Sequence, residues 1–494
     1  MRPALIWMFT IGIVLGAWSA SQGQNLVFTP TSRHQVGHTP QAIVAGDFNQ
    51  DGRLDVVTVN STSDDVSVLL GNGNGTFRAA VSFGVGKMPM FVAAEDLTGD
   101  GRLDLAVALS GSDRIRILKG RGNGLFDPIG SFPSGKGTTF LTVHDLNGDG
   151  KLDIVAANSG RFGYYPPFSI SVLLNDGTGH MVGPMVYETE GRNGMFPTGV
   201  FVDDFTADGK PDLAISWSQS SWRTPNGLIS LLVNQGDGRF AVGRTVQAGK
   251  TLSAITGADV NQDGRTDLIA TSLFTDSVNI LLQEASGEFS PLDPIPVGFS
   301  PVAVQVGDLN EDGQLDIIVT NRDSSSVSTL LGNGHGEFRS AGHFGVGETP
   351  SGLIVKDFDQ DGLLDLATAD SSSNGVSVLL NGRVLLPLPS LSADALVFEL
   401  GGHEPRAGRR TLRVSNVGLG ALKVFTVHVR GQDSHLFSLT SNRCEGATLR
   451  TGDFCTIDIA FSAPSPGKYT AEMTIVDNAN GGPRSIILQG VRRG

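Results

Sequence analysis

A nine-residue segment rich in oxygen-bearing side chains occurs seven times in the chain. Its pattern is D-x-[DNT]-x-D-G-x-x-D, and the copies begin at Asp47, Asp96, Asp145, Asp204, Asp259, Asp308 and Asp357. Successive copies start 49, 49, 59, 55, 49 and 49 residues apart, which indicates a true internal repeat. Carboxylate, amide and hydroxyl oxygens grouped around a Gly are suited to surround a hard cation within one sharp turn.

The cation that this pattern favours is Ca²⁺, which takes about six to eight oxygen ligands in flexible geometry. Each copy, here called an acidic loop and numbered 1 to 7 in chain order, offers side chains at positions 1, 3, 5 and 9 and the backbone carbonyl of position 7. The predicted ligands of up to seven ions are Asp47, Asn49, Asp51, Arg53 and Asp55; Asp96, Thr98, Asp100, Arg102 and Asp104; Asp145, Asn147, Asp149, Lys151 and Asp153; Asp204, Thr206, Asp208, Lys210 and Asp212; Asp259, Asn261, Asp263, Arg265 and Asp267; Asp308, Asn310, Asp312, Gln314 and Asp316; and Asp357, Asp359, Asp361, Leu363 and Asp365.

The seven loops are not equally well suited to calcium. Thr98 and Thr206 at position 3 are weaker ligands, so we expect loops 2 and 4 to bind least tightly, whereas loop 7 has Asp at positions 1, 3, 5 and 9 and should bind most tightly. An EF-hand is excluded, because it requires a Glu at position 12, where these loops have Thr or an apolar residue.

A metal-free turn remains an alternative, since Asp and Gly favour turns without any ion. The overall charge of the chain favours loops with bound metal over metal-free turns. The chain has a net charge of −14, which becomes −15 without Arg2, and seven calcium ions would bring +14. Without a cation, several carboxylates in one turn would repel each other strongly.

The residues around each loop predict strands. In the first repeat, apolar runs at 42–45 and 55–59 flank the loop, residues 66–70 alternate with a period of two, and a Gly-rich turn at 71–75 precedes a fourth strand. Four strands in about 49 residues match one blade of a β-propeller. The predicted fold is therefore all-β, with a seven-bladed propeller over residues 24–385.

The ends of the repeat array predict how the ring closes. A Phe lies 19 residues before six of the loops, and a Gly follows each Phe by nine residues. Phe28 and Gly37 have this spacing before the first loop, whereas the last repeat lacks its fourth strand. The segment from Phe28 to Gly37 should therefore pair with residues 376–380 and complete the last blade, which removes exposed strand edges.

These loops, with their fixed Phe and Gly spacing, resemble FG-GAP or VCBS repeats, the calcium-binding blades of integrin α-subunit propellers and of many bacterial exported proteins. The resemblance covers roughly residues 25 to 385, and the FG pair itself occurs at Phe83-Gly84 and Phe344-Gly345. It implies a propeller fold, bound calcium and an extracellular location, with functions that range from adhesion to, more rarely, roles as enzyme accessories.

The remaining segments extend this domain plan. Residues 386–392 form a Pro-containing linker, and residues 393–494 have turn signals about every ten residues, as in an immunoglobulin-like β-sandwich. This region resembles the choice-of-anchor and related Ig-like domains of bacterial surface proteins. Cys444 and Cys455 are the only cysteines and are expected to form a disulfide in an exported protein.

The N-terminus predicts export. Residues 1–23 have a positive charge, a short apolar run and small residues, as a signal peptide does, and an uncleaved anchor is the alternative. We expect a secreted, periplasmic or cell-surface protein without an integral membrane segment after cleavage, and a monomer. The chain has no basic patch of the kind that binds nucleic acid.

The function that these features favour is binding of an extracellular glycan or protein, because no catalytic motif stands out. A calcium-stiffened spacer and a propeller-based lyase or hydrolase are the alternatives. The third and fourth repeats carry insertions with aromatic and Arg residues, expected to project from the face opposite the acidic loops. The candidate ligand contacts there are Arg161, Tyr164, Tyr165, Phe168, Trp217, Trp222 and Arg223, unless these rings simply pack against each other.

Overall fold

The computed structural model describes residues 26–31, 33–160, 167–188, 194–219, 227–382, 389–393, 395–400, 408–416, 421–450, 452–479 and 484–493. The predicted signal peptide, residues 1–23, lies outside this range. The chain divides into two compact units, one formed by Leu26–Gly382 and the other containing Arg383–Gly494. The division falls close to residue 385, the end of the propeller expected from the sequence.

The first unit consists of small antiparallel sheets, each built from strands that follow one another in the chain. The first three sheets contain β3 (Pro40–Gly46), β4 (Asp55–Asn60), β5 (Asp65–Leu69) and β6 (Val81–Gly84); β7 (Pro89–Glu95), β8 (Asp104–Leu109), β9 (Arg114–Gly120) and β10 (Phe126–Pro133); and β11 (Thr138–His144), β12 (Asp153–Asn158), β13 (Ser169–Asn175) and β14 (Met181–Glu188).

The next three sheets contain β15 (Met195–Asp203), β16 (Asp212–Gln219), β17 (Gly227–Asn234) and β18 (Phe240–Gly249); β19 (Leu252–Ala258), β20 (Asp267–Ser272), β21 (Ser277–Gln283), β22 (Phe289–Pro291) and β23 (Ile295–Pro296); and β24 (Pro301–Gly307), β25 (Asp316–Asn321), β26 (Ser326–Gly332) and β27 (Phe338–Gly345). The seventh sheet joins β28 (Pro350–Lys356), β29 (Asp365–Asp370) and β30 (Gly375–Gly382) to the N-terminal strands β1 (Val27–Pro30) and β2 (His34–Gln35).

The second strand of each sheet forms the core, because both of its faces are covered. In β4, Val57 packs in an apolar cluster with Leu105 and Val107 of the second sheet, whereas Val56 packs in another with Ile354 and Ala367 of the seventh. Successive side chains of a strand point to opposite faces, so one β-branched run holds two neighbouring sheets. All six residues of β4 are buried for this reason.

The first strands contact one another in a cyclic order. Along the chain β3, β7, β11, β15, β19, β24 and β28 each contact the next, and β28 also contacts β3. Small repeated antiparallel sheets in this order are characteristic of the β-propeller fold. The sequence prediction of an all-β propeller-type fold is confirmed at this level.

The N-terminal pairing expected from the sequence is present, although the segment forms two short strands rather than one. Phe28 lies opposite Asn381, and His34 lies opposite Val376, both in β30. Between Pro30 and His34 the N-terminal segment advances four residues while its partner advances three, from Leu379 to Val376, so one extra residue interrupts the pairing. Phe28 is buried and packs edge-on against Phe344 with ring centroids 4.8 Å apart.

The Gly that follows each Phe by nine residues is explained by a close approach. A Cβ atom at Gly347 would lie 2.3 Å from Oδ2 of the buried Asp370, and one at Gly37 would lie 2.5 Å from Oδ1 of Asp65. The turns that enter the first and seventh sheets therefore pass directly over polar side chains near the connection of the second and third strands, and those at Gly135, Gly249 and Gly298 do the same. At Gly86 the close neighbour is the apolar side chain of Leu109. Only Gly leaves room for this contact.

The second unit contains two sheets that share one apolar core, to which Leu412 and Ile457 contribute from one sheet and Phe398 and Met473 from the other. Its strands are β31 (Pro389–Leu391), β33 (Gly408–Asn416), β37 (Phe454–Phe461) and β35 (Phe437–Asn442) in the first sheet, and β32 (Ala395–Leu400), β39 (Arg484–Arg492), β38 (Gly467–Asp477), β34 (Leu422–Arg430) and β36 (Thr448–Leu449) in the second. A single turn of 3₁₀-helix, Ser434–Leu436, is the one helix among the described residues.

Two sequence predictions about this unit have different outcomes. Cys444 and Cys455 form the expected disulfide, with an S–S distance of 2.04 Å. The linker assignment of residues 386–392 is wrong in part, because β31 pairs with β33 as the edge strand of a sheet. Proline is tolerated at such an edge because the missing N–H is not needed there. Within the described residues no helix is long and apolar enough to cross a membrane.

The N-terminal closure predicts a large effect of truncating Phe28. We expect Phe28→Ala to lower the free energy of unfolding by about 3–5 kcal/mol, since a buried ring is lost from the seventh sheet. Thr29→Ala, on the exposed side of the same strand, should change it by less than about 0.5 kcal/mol. Denaturant unfolding of both variants measures this, and equal stabilities would contradict the closure.

The close approach of Gly347 to Asp370 predicts that Ala substitutions at Gly347 and Gly345 differ in their cost to stability. Gly347→Ala places a methyl group against Asp370 and should cost about 1–3 kcal/mol, whereas Gly345→Ala, two residues earlier and with open space around its Cβ position, should cost far less. Thermal melting of the two variants provides the comparison. A Gly345 variant that melts as low as the Gly347 variant would show that the contact is unimportant.

Candidate metal centre

Each acidic loop connects the first and second strands of its sheet, and loop 1 joins β3 to β4. Successive strands alternate in direction, so each acidic loop lies at the same end of its sheet as the turn that joins the third strand to the fourth. An apolar residue at position 2 fixes each loop to the core. These anchors are Phe48, Leu97, Leu146, Phe205, Val260, Leu309 and Phe358, and all are buried.

Backbone amides curl each loop around its acidic side chains. In loop 1, Asp47 Oδ1 accepts a hydrogen bond from the N–H of Asp51 at 3.0 Å, and its Oδ2 accepts one from Gly52 at 2.8 Å. Asn49 Oδ1 accepts from Asp51 as well, and Asp51 Oδ1 accepts from the N–H of Arg53. Gln50, at position 4, has a φ of 60°, which turns the chain sharply.

The bonds to position 1 recur in every loop. The N–H groups of positions 5 and 6 donate to the position-1 carboxylate in loops 2 to 7 as they do in loop 1. The oxygens of positions 1, 3 and 5 are thereby held around one turn. These are three of the four side-chain positions that the sequence predicts as ligands.

The Asp at position 9 has a different environment from the other predicted ligands, because it is completely buried in all seven loops. In loop 7, Asp365 Oδ2 accepts the N–H of Phe358 at 2.8 Å, and Oδ1 accepts the N–H of Asn381 at 2.7 Å. One carboxylate therefore ties the acidic loop to the end of the third strand. The other six are Asp55, Asp104, Asp153, Asp212, Asp267 and Asp316, and each accepts one N–H at or just after the end of its third strand and one from its acidic loop. The loop donor is the N–H of position 2 in loops 1, 3, 5 and 6, and the N–H of position 3, Thr98 or Thr206, in loops 2 and 4.

Burial raises the pKa of these carboxyl groups, to about 6 for Asp55 and about 7 for Asp316 and Asp365. Removal of a carboxylate from water disfavours its charged form, and the acidic side chains at positions 1 and 5, or in loop 7 at positions 3 and 5, add repulsion. The two backbone amides act in the opposite direction. A nearby cation would favour the charged form of the whole loop.

Loop 7 has the most concentrated set of acidic oxygens. Asp357, Asp359 and Asp361 each place a carboxylate oxygen within 4.8 Å of the others. Burial raises the pKa of Asp359, and the carboxylates of Asp361 and Asp357 raise it further. Such a cluster, made only of hard oxygen ligands, fits the requirements of Ca²⁺.

Basic side chains at position 7 compete for the acidic oxygens of loops 2 to 5. The Lys119 ammonium and the Arg102 guanidinium both contact the carboxylate of Asp100, and this pairing lowers the pKa of Asp100. Loops 3, 4 and 5 have one such pair each, Lys151 with Asp149, Lys210 with Asp208 and Arg265 with Asp263. In loop 4 the hydroxyl of Thr206 donates to Asp212 at 3.0 Å.

Amide side chains connect neighbouring loops, a feature that the sequence analysis missed. Gln360 Nε2 of loop 7 donates to the Gly52 carbonyl of loop 1 at 3.1 Å, and Gln262 of loop 5 donates to the Gly313 carbonyl of loop 6 at 3.2 Å. Asn381 Nδ2 similarly donates to the Leu309 carbonyl of loop 6 at 2.7 Å. The signal in the sequence is an amide residue at position 4 or at the end of the third strand.

At the end of the sheets opposite the acidic loops, the structure corrects part of the ligand-contact prediction. Phe168 and Trp217 are only 5% and 4% exposed, so the expectation that they contact a ligand at the surface is wrong. Trp217 lies within β16 and packs in the core between the third and fourth sheets, and Phe168 packs against Phe196. Five of the predicted contacts lie outside the described residues, namely Arg161, Tyr164, Tyr165, Trp222 and Arg223.

A cavity of about 1280 Å³ runs between the first strands. Phe91 and Phe140 contact each other in its lining, with ring centroids 4.3 Å apart, and Glu95 and Lys356 lie at the end of their strands near the acidic loops. Among the described lining residues Glu95 is the only acidic one.

Comparisons with known proteins identify the repeats. Six overlapping segments match the model of the FG-GAP-like repeat, residues 47–107, 96–156, 145–215, 204–270, 259–319 and 308–368. No curated protein matches the chain.

Two solved structures are similar in part. One is a functionally unknown protein from Desulfotomaculum acetoxidans DSM 771, with 12% sequence identity and a TM-score of 0.46, over 66% of this chain and 94% of that one. The other is a protein from Lactobacillus plantarum, with 11% identity and a TM-score of 0.46, over 69% of this chain and 96% of that one. Similarity at this level says nothing about function.

The bond from loop 7 to loop 1 predicts that Gln360→Ala lowers the free energy of unfolding by about 0.5–1.5 kcal/mol, the usual effect of one lost hydrogen bond. Gln50→Ala is the matched control, since Gln50 has the same position and a positive φ but no hydrogen bond of its amide among the described contacts. Denaturant unfolding of both variants tests this. If both lose the same stability, the contact between the loops does not contribute.

Proposed function

The chain belongs to the family of FG-GAP-like repeat proteins, and from this premise we propose that it is an exported, calcium-binding propeller that binds an extracellular glycan or protein. The ring would have seven blades, completed by β1 and β2. The cyclic contacts of the first strands and the pairing of β1 with β30 support this number.

The observation that carries the calcium proposal is the convergence of Asp357, Asp359 and Asp361 in loop 7. Bound calcium supplies the positive charge that offsets repulsion among these carboxylates. The backbone amides that hold Asp357 orient its oxygens before any ion arrives. Loop 7 would therefore bind first.

The expected calcium affinity of the remaining loops depends on how many basic side chains already pair with the position-5 carboxylate. Loop 6 has Gln314 at position 7, and among the described residues no ion pair involves Asp51 of loop 1, so both loops keep their position-5 carboxylates available. Loops 3 to 5 each pair this carboxylate with one basic residue. Loop 2, with two basic residues on Asp100, would bind calcium least well.

The second unit would be an immunoglobulin-like sandwich that presents or anchors the propeller outside the cell. Its two sheets around one core and its disulfide, which forms in oxidising compartments, support this assignment. The protein would act as a monomer and without catalysis. Screening purified protein against glycans and extracellular proteins, with and without chelator, tests the binding function.

Calcium removal provides the most discriminating variant experiment. EDTA should lower the melting temperature of the propeller, because ligands at about 100 times their Kd stabilise a protein by about 2.7 kcal/mol. Asp361→Asn should reduce this calcium-dependent gain and should not destabilise the EDTA-treated protein, since it removes a repelling charge. Asp100→Asn in loop 2, which would bind calcium least well, is the comparison and should lose less of the calcium response than Asp361→Asn.

Differential scanning calorimetry of the three proteins in calcium and in EDTA provides the test. If the wild-type melting temperature is the same in both buffers, the loops do not bind calcium. An Asp361 variant with an undiminished calcium response would move the tightest site away from loop 7.

A further inference from the structure

The outer face of one sheet in the second unit carries exposed arginines. This sheet has the strand order β31-β33-β37-β35. Buried residues such as Leu412 and Ile457 point into the core, so the residues next to them in the same strands point outward. Arg409 and Arg413 of β33 lie on this outer face, and both are exposed.

A third arginine lies in the same row across the sheet. Arg413 is opposite Thr456 of β37, and the N–H of Arg443 donates to the Thr456 carbonyl at 3.0 Å from the other side. Arg443 is exposed and follows Asn442 of β35, which is opposite Ile457, so this bond continues the antiparallel register. Neighbouring strands are about 4.8 Å apart, so Arg413 and Arg443 lie roughly 10 Å apart on either side of Thr456.

An aromatic ring holds the guanidinium of Arg413 in place. Its central carbon lies 3.7 Å from the centre of the Phe454 ring, and its Nε donates to Ser415 Oγ at 3.1 Å. Ser415 and Phe454 are opposite each other in β33 and β37, so the contact lies on the same outer face. Because the guanidinium is stacked and bonded at one end, little conformational freedom would be lost when its terminal N–H groups bind a ligand.

The outer face lacks acidic groups to match its arginines. Among the described outward residues of the four strands, Asp458 is the only acidic one, and its Oδ1 accepts the hydroxyl of Thr411 at 2.6 Å. Within the described part of the chain none of the three arginines forms an ion pair. Residues 393–494 contain 12 Lys and Arg against 9 Asp and Glu, although the whole chain has a net charge of −14. Such a local excess of positive charge attracts anions.

We infer that Arg413 and Arg443, together with Arg409, form a binding surface for a polysaccharide that carries uronic acids. A carboxylate is planar and accepts two parallel N–H bonds from one guanidinium, and the stacked Arg413 presents its N–H groups in a fixed plane. The hydroxyl groups of Thr456 and Ser415 lie beside these arginines and can bond to sugar hydroxyls. This inference goes beyond the proposed binding by the propeller and does not depend on it.

The spacing and composition of the face favour a charged polysaccharide over a protein. Arg409 is four residues from Arg413 in β33, which is about 13 Å along the strand. Positive charges at such intervals suit a long chain with repeated carboxylates. Phe454 is the only large apolar side chain among the described outward residues of these strands, whereas the centre of a protein interface is largely apolar.

The test uses the full chain at low ionic strength and hyaluronan, in which every second sugar carries a carboxylate, with titration calorimetry as the measurement. Arg413→Gln and Arg443→Gln should each weaken binding by about two- to fivefold, the usual effect of one exposed ion pair, and the double variant by about tenfold. Arg413→Lys keeps the charge without the planar fork and should bind less tightly than wild type. Arg430→Gln, at an exposed position of β34 in the other sheet, removes the same charge and should bind like wild type.

Dextran sulfate, polyglutamate and neutral dextran are the competing ligands. If any of them binds at least as tightly as hyaluronan, the uronic acid assignment is wrong. If the double variant has the melting temperature of wild type and binds hyaluronan equally well, the surface is wrong, and a wild-type protein that does not bind hyaluronan overturns the proposal. Binding by the propeller is tested separately, because the three arginines lie outside it.

Discussion

Each sheet of the repeat unit depends on one buried carboxylate, the Asp at position 9 of its acidic loop. Its two oxygens accept amide groups from two separate parts of the sheet, which for Asp365 are Phe358 and Asn381. Burial of an unpaired charge would be prohibitive, so both bonds must form for the sheet to close at this end. The curled loop, its exposed acidic side chains and the apolar anchor at position 2 follow from this arrangement.

The two ends of the sheets are therefore constrained in different ways. At the acidic end, loop geometry is set by amide bonds that recur seven times, and residues such as Gln360 link one loop to the next. At the opposite end, the close approach at Gly347 and its equivalents fixes the backbone but leaves the neighbouring side chains free to vary. The residue after this Gly, which is Lys250 in the fifth sheet and Phe299 in the sixth, occupies such a variable position. It can change without disturbing the sheets.

The repeat made much of the fold predictable. Period, strand order and the pairing of β1 with β30 follow from the spacing of Asp, Phe and Gly, because a repeated unit must satisfy the same contacts each time. The acidic residues at positions 1, 3 and 5 do converge as the pattern predicts. Spacing alone did not show that position 9 is completely buried, since that depends on a bond to a distant part of the sheet.

The aromatic predictions failed for a related reason. Trp217 was assigned to a long loop, but β16 continues to Gln219, and a side chain within that strand faces the core. Arg413 and Arg443 are 30 residues apart in the chain and share one row only because their segments flank β37. Loop length identifies inserted residues, whereas exposure depends on strand register, which composition does not reveal.

Native mass spectrometry of the purified protein tests most directly the central claim that the acidic loops bind calcium. It counts bound ions and does not require the extracellular ligand to be known. After equilibration in calcium, the account predicts a folded protein that carries one or more calcium ions, fewer when both Asp357 and Asp361 are replaced by Asn, and none after treatment with chelator. A folded wild-type protein whose mass shows no bound calcium at millimolar calcium would contradict it.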